Sequence, residues 1–449
     1  MDDLFELTAG LARDFYATLP ERPVFPDATT EELRAALAGP LPETGTDPRT
    51  VVAELASAAS RGLVAEPGGR YFGFVIGATL PAALAADWLA SAWDQNAGLA
   101  IAGPSVAVAE EVAGEWLAAL LGLPQGVSFA FVTGAQMANF TALAAARNHV
   151  LRNAGWDVER DGLTGAPRIR VVVGARRHGT IDRALRMLGL GAPTDVVPAD
   201  FNGRLLAEHL ELTDEPTIVC AQAGEVNTGA FDPFDAIANS CDAAANAWLH
   251  VDGAFGLWAN VPESMRHLAH GAERADSWAT DAHKWLNVPY DCGVAFTRRP
   301  DAHSAAFSAR ASYLVFGVGI RDAMDWNPES SRRARSLPVY AAIRSLGREG
   351  IADLVERCCA HARRFAEGVR ELGAEVLNDV DLNQVLFRFE DDERTNAVLA
   401  AVQRSGEAWM GGTTWDGRAA IRISVSSWQT TEADVERTLA AYAGQLAAR

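Results

Sequence analysis

The sequence predicts an α/β fold: a mainly parallel central sheet with helices on both faces, followed by a smaller α+β domain. Three observations predict it. Between residues 128 and 297, short apolar runs alternate with amphipathic helical patterns, the rhythm of strands joined by crossover helices. Beyond 337 the pattern changes to two helical stretches, three strand-like runs and a last helix. The chain has 449 residues, 49% of them hydrophobic and 22% charged, which is enough for two or three domains with a sizeable core.

Residues 1 to about 60 read as helix, proline-containing linker and helix. Apolar residues recur at helical spacing over 4–18, and Pro20, Pro23 and Pro26 break the pattern. Thr29 or Thr30 followed by two glutamates then signals a capped second helix. Such an arm is too small to bury itself, so it is expected to pack on the main domain or on a partner subunit. Helical patterns follow at 81–93 and 106–121. Strands are expected at 128–132, 168–173, 195–197, 217–221, 247–251, 277–280 and 293–297. Helices are expected among them at 137–153, 180–188, 205–212 and 233–245. The tail predicts helices at 337–346 and 351–372, strands at 384–389, 408–415 and 420–425, and a helix at 432–446. The expected division is an arm (1–60), a large domain (61–308) and a small domain (309–449).

Charge and cysteine usage narrow the function. A net charge of −19 and a pI near 4.9 argue against nucleic-acid or anionic-membrane surfaces. The five cysteines, Cys220, Cys241, Cys292, Cys358 and Cys359, form no CxxC pair and read as free thiols in a reducing cytoplasm, with no zinc or other metal site. The acidic start lacks the features of a signal peptide, and the apolar stretch at 80–93 contains Asp87 and is too short to span a bilayer.

One residue stands out in the count of bases. Of 39 Lys plus Arg, a single one, Lys284, is lysine. Arginine stays charged and cannot attack a carbonyl, so a lone lysine in an arginine-writing chain points to amine chemistry, most simply a Schiff base. It lies in DAHKW (281–285), about thirty residues after HVDGAFG (250–256), where a strand-like run ends at Asp252. An aspartate at one strand end and a lysine on a later strand-end loop fit pyridoxal 5'-phosphate. The carboxylate pairs with the pyridinium nitrogen, and the lysine carries the cofactor as an aldimine. In an open sheet of this kind ligands bind beyond the carboxyl ends of the strands.

Three further loops belong there. TGAQMAN (133–139) joins a strand to a helix through small residues, as a phosphate site at a helix N-terminus or as a plain turn. His178, in RRHGT (176–180), follows a strand, as a residue stacked on a cofactor ring or as a structural histidine. Asn227 or Thr228, in GEVNTGAFD (224–232), would reach the cofactor, or the segment is simply a turn. Arg422 lies in a strand of the tail, as a bidentate carboxylate partner or as a structural arginine.

Together TGAQMAN, RRHGTIDRALRMLGLG (176–191), GEVNTGAFDP (224–233), HVDGAFG and DAHKW resemble the group II pyridoxal-phosphate-dependent amino-acid decarboxylases, which include the aromatic-L-amino-acid and glutamate decarboxylases. The resemblance covers nearly the whole chain. It implies the fold-type I, aspartate-aminotransferase-like architecture and a homodimer with shared active sites. It assigns Lys284 as the Schiff-base lysine, Asp252 as the pyridinium partner and His178 as the residue stacked on the ring. Ala254 would contact the other ring face, and Gly134, Ala135, Gln136 and His283 would surround the phosphate.

The expected reaction is decarboxylation of an L-amino acid to the amine and CO2, with Lys284 and His178 as catalytic residues. The chain also departs from the family pattern. Tyr313 is the one tyrosine of the stretch 313–328, which matches the family's mobile loop, and it stands at the start of that stretch rather than at its tip. Glu225-Val226 replaces a threonine pair. These departures leave open another reaction of the same aldimine: aldehyde synthesis, transamination, or aldol or β-elimination cleavage. A cofactor-binding homologue without turnover is argued against by the presence of both Lys284 and Asp252. The apolar run Tyr71, Phe72, Phe74, Val75 and Ile76, with Leu99 and Ile101, predicts a hydrophobic or aromatic substrate.

Overall fold

A computed structural model of the chain describes residues 1–309 and 319–447. Its centre is a seven-stranded sheet built from β1 (Ser128–Val132), β2 (Arg170–Gly174), β3 (Asp195–Val197), β4 (Thr217–Gln222), β5 (Ala247–Asp252), β6 (Ser277–Asp281) and β7 (Gly293–Thr297). The spatial order is β1-β7-β6-β5-β4-β2-β3. Only β7 runs against its neighbours, pairing antiparallel with both β1 and β6. Strands β1, β4, β6 and β7 are buried along their whole length, as expected of a sheet covered on both faces. One of the covering helices, Ala135–Asn153, buries twelve residues against the sheet and the neighbouring helices.

A second, fully antiparallel sheet has the order β10-β11-β9-β8, from β8 (Glu375–Val376), β9 (Gln384–Arg388), β10 (Gly411–Trp415) and β11 (Arg418–Ser424). The helix Ser336–Glu371 packs on it and carries a break at Gly347 (φ 62°, ψ −178°), so the two helices expected at 337–346 and 351–372 meet at a kink.

Two local expectations are corrected. No helix forms at 205–212, where the structure has a three-residue 3-10 turn, Ala207–His209. The Leu205 N–H donates to the Asp232 carboxylate at 2.7 Å and the Leu206 N–H to the Pro198 carbonyl at 3.0 Å. Leu205 and Leu210 turn into the core on either side of this turn, so their apolar spacing marks core contacts rather than one face of a helix. The arm holds three helices, Asp2–Thr18, Thr30–Leu37 and Pro48–Ser60. The third was legible in Asp47-Pro48: the aspartate accepts the Thr50 N–H at 3.0 Å, and proline takes the first helical position, where its missing donor costs nothing. No residue of these three helices is buried, and Phe5, Leu37, Val51 and Leu55 are exposed.

Candidate active site

Six of the sheet's strands point the same way, and the loops beyond their carboxyl ends enclose a cavity of about 320 Å3. Lys284 enters it from the turn after β6. The next residue, Trp285, is fully buried and pins that turn. An aromatic side chain buries ~150–250 Å2, worth about 4–6 kcal/mol at ~25 cal/mol per Å2. The Lys284 Nζ lies 3.0 Å from Asp281 Oδ2, and the other Asp281 oxygen accepts the Ala135 N–H at 2.6 Å. Asp281, the last residue of β6, therefore joins the lysine to the first turn of the helix Ala135–Asn153. His283 Nδ1 accepts the Cys292 N–H at 3.1 Å, which leaves Nε2 to carry the proton, 3.5 Å from Asp281. Burial lowers the His283 pKa, and the Asp281 charge opposes that shift.

The turn at Gly134 is crowded. A Cβ there would sit 3.1 Å from His283 Cε1, and one on Gly293 would sit 2.3 Å from the Gly134 carbonyl carbon. Only small residues let β1, β7 and the helix start come this close. Asp252 ends β5; its Oδ2 accepts from Asn139 Nδ2 at 3.1 Å and its Oδ1 from the Ala254 N–H at 3.3 Å. His178 caps the helix Gly179–Met187, its Nδ1 lying 3.3 Å from the Thr180 N–H and 2.9 Å from Thr180 Oγ1. The ring is open to the cavity but flanked by protein, and that desolvation lowers its pKa, with Asp252 opposing.

The structure brings Gly134, Ala135, Gln136, His178, Asp252, Ala254, His283 and Lys284 around this one cavity. Asn227 is placed elsewhere. Its backbone N–H and side-chain amide both donate to the Glu225 carboxylate, at 2.7 and 2.9 Å, and Thr228 is held by Glu225 and the Asn202 carbonyl. Gly224 and Val226 face the cavity instead. Arg422 lies behind them, donating to the Val226 carbonyl at 2.7 Å. Of the apolar run at 71–76, Phe74 lines the cavity, whereas Phe72 and Val75 pack in the core and Tyr71 stacks on Trp409 at 5.1 Å. Ile101 is exposed and Leu99 is outside the cavity wall. Sequence reasoning gave no role to Asp281, Thr180 or Phe255. For Asp281 the signal was present, since a carboxylate three residues before a lysine in a turn is placed to meet it. Tyr313 lies outside the described residues. A larger open cleft, about 590 Å3, between 90–96 and 331–334 shares no residue with this site.

The residues fit pyridoxal 5'-phosphate. A primary amine stands on one wall, a carboxylate on the adjacent strand end, and a helix N-terminus with a glycine turn lies beside His283. Gln136 Oε1 is buried in that wall with no hydrogen-bond partner among the described residues.

Fold and site thus define a fold-type I pyridoxal-phosphate enzyme. Residues 64–390 match the pyridoxal-dependent decarboxylase conserved domain, and the chain belongs to that family of pyridoxal-phosphate-dependent carboxy-lyases. It is 28% identical to the aromatic-L-amino-acid decarboxylase of Bacillus atrophaeus, over 92% of this chain and 89% of that protein. It is 24% identical to the 4-hydroxyphenylacetaldehyde synthase of Rhodiola rosea, over 96% and 92%. The crystal structure of Oryza sativa TDC with PLP and tryptamine superposes with a TM-score of 0.91 at 24% identity, covering 99% of this chain and 97% of that one.

Proposed function

We propose that this chain removes the α-carboxylate of a hydrophobic or aromatic L-amino acid, releasing the amine and CO2. The observation that carries the reading is the chain's one lysine, Lys284, facing the same cavity as Asp252. Bound pyridoxal phosphate supplies the electron sink for the pair left at the substrate's Cα. The chain's own residues do the rest. The Lys284 amine would hold the cofactor through its carbonyl carbon. Asp252 would pair with the ring nitrogen, and His178 and Ala254 would hold the ring between them. Gly134, Ala135, Gln136 and His283 would surround its phosphate. His178 Nδ1 is occupied by Thr180, so Nε2 is the nitrogen free to orient the departing carboxylate or to relay a proton.

The substrate class follows from the wall. Phe74, Val226 and Phe255 line it, and among the described lining residues the cations other than histidine reduce to Lys284. Arg422 Nη1 donates to the Val226 carbonyl behind the wall, and a second substrate carboxylate that does not reach that guanidinium would be desolvated without a partner, at a cost of several kcal/mol. A panel of L-amino acids, read for CO2, amine, ammonia, hydrogen peroxide and keto acid, tests this. Turnover of aspartate or glutamate faster than phenylalanine, tyrosine, tryptophan, leucine or valine overturns it.

A second reading, oxygen-dependent conversion to aldehyde, CO2, ammonia and hydrogen peroxide, is supported by the likeness to the Rhodiola enzyme and the early position of Tyr313. Peroxide and ammonia released in step with CO2 would favour it. The exposed apolar side chains of the arm support a homodimer, and a fully active monomer in light scattering would exclude it.

A further inference from the structure

A continuous path of buried side chains runs behind Asp252. Trp248, His250, Ser277 and Asn139 are each fully buried. Trp248 Nε1 lies 2.8 Å from Ser277 Oγ, Ser277 Oγ 2.9 Å from His250 Nδ1, His250 Nε2 2.9 Å from Asn139 Oδ1, and Asn139 Nδ2 3.1 Å from Asp252 Oδ2.

The direction of this path follows from donor and acceptor chemistry. The Asp252 carboxylate only accepts, so Asn139 must turn its NH2 toward it; the flipped amide would set two oxygens against each other. Asn139 Oδ1 then faces His250 Nε2, which must be the protonated nitrogen. His250 Nδ1 therefore accepts from the Ser277 hydroxyl, which accepts in turn from the indole N–H, a donor only. Burial favours the neutral ring this arrangement needs and pushes its pKa down to about 3.

The second N–H of Asn139 reaches Thr180 Oγ1 at 3.3 Å, and that hydroxyl lies 2.9 Å from His178 Nδ1. The same nitrogen accepts the Thr180 backbone N–H, so the hydroxyl donates to it and the His178 proton resides on Nε2. One amide thus touches Asp252 itself and the Thr180 hydroxyl that holds His178.

We propose that Asn139 is a positioning residue: anchored by His250, it holds Asp252 directly and His178 through Thr180 in the orientations the cofactor ring requires. This rests on the reading that Asp252 meets the ring nitrogen. The test is 15N NMR of the holoenzyme carrying pyridoxal phosphate labelled at that nitrogen, with kcat, KM and melting measured on the same samples.

Wild type is expected to show a protonated ring nitrogen. Asn139→Leu and His250→Phe are expected to move the resonance toward the unprotonated pyridine and to lower kcat roughly tenfold or more, with KM moving less, the size of losing one hydrogen bond to a charged group. His250→Gln keeps a donor at the Nε2 position and is expected to restore the wild-type resonance. If Asp252→Ala leaves the resonance unmoved, the underlying reading of Asp252 fails. If Asp252→Ala moves it while Asn139→Leu and His250→Phe do not, the positioning role is overturned. His250→Gln matching His250→Phe overturns the assigned direction. If Asn139→Leu does not fold, the pair of His250 variants decides.

Discussion

Gly77 sits against the backbone of Lys284, and Gly77→Ala is expected to disable the site while leaving the fold in place. A Cβ on Gly77 would lie 1.8 Å from the Lys284 carbonyl oxygen, 2.9 Å from its carbonyl carbon and 3.2 Å from Asn287 Cγ. Ordinary contact begins near 3.4 Å, so one of the two backbones must move by about 1.6 Å. The Lys284 side has little room, because Trp285 is fully buried and Asn287, also buried, hydrogen-bonds the Lys284, Trp285 and Ser426 carbonyls. Overpacking of this kind costs about 1–3 kcal/mol of stability. A shift of roughly 1 Å in a reacting group costs on the order of 100-fold in rate. Visible titration with pyridoxal phosphate, borohydride trapping and turnover measure the site, and thermal melting measures the fold. Gly444→Ala is the control: Gly444 is helical with nothing within 4 Å of its Cβ position, and alanine there should stabilise by up to ~1 kcal/mol. Wild-type trapping and turnover in Gly77→Ala would refute the reasoning.

Borohydride reduction of the holoenzyme should tag the peptide containing Lys284, and Lys284→Ala should lose covalent cofactor and turnover, because no other lysine exists to substitute. A tag on any other peptide counts against the assignment. Asp252→Asn should stay folded and lose most of its activity, and near-normal turnover in Asp252→Ala would contradict its pairing with the ring. His303 gives a pH prediction away from the site. It is fully buried between Ser128 Oγ and the Trp326 carbonyl, at 2.9 Å from each, and desolvation pushes its pKa down to about 3. The unfolded value is ~6.5, so between these limits the unfolded chain binds the extra proton and stability falls as pH falls, by up to about 1.4 kcal/mol per pH unit. Denaturant midpoints between pH 7.5 and 5 should decline more steeply for wild type than for His303→Gln, and parallel curves would exclude this coupling.

Much of the fold was legible because the sheet is covered on both faces. Strands such as β1 and β7 are nearly continuous apolar runs, and β1, β3 and β7 begin and end where the sequence pattern places them. Segments whose course is set by contacts with remote residues were not legible. Residues 205–212 carry a helical pattern, yet its apolar residues Leu205 and Leu210 are core contacts flanking a single 3-10 turn. The same applies to Asn227. Its residue type suits a cofactor loop, but the buried Glu225 draws in its amide, and only the folded loop shows which of the two wins.

By itself the sequence determined the chemistry available to this protein. A single lysine among arginines, an aspartate closing a strand and small residues between strand and helix are properties of residue type and local order. Those properties are written along the chain. The tertiary structure alone decided which groups touch. The Lys284–Asp281 pair also binds Ala135, which lies 146 positions before Asp281. Asn139 meets both Asp252 and His250, and Phe74 faces the cavity while Phe72 and Val75 turn into the core. Such contacts depend on strand order and on distances of about 3 Å between residues remote in sequence, and no local periodicity encodes them.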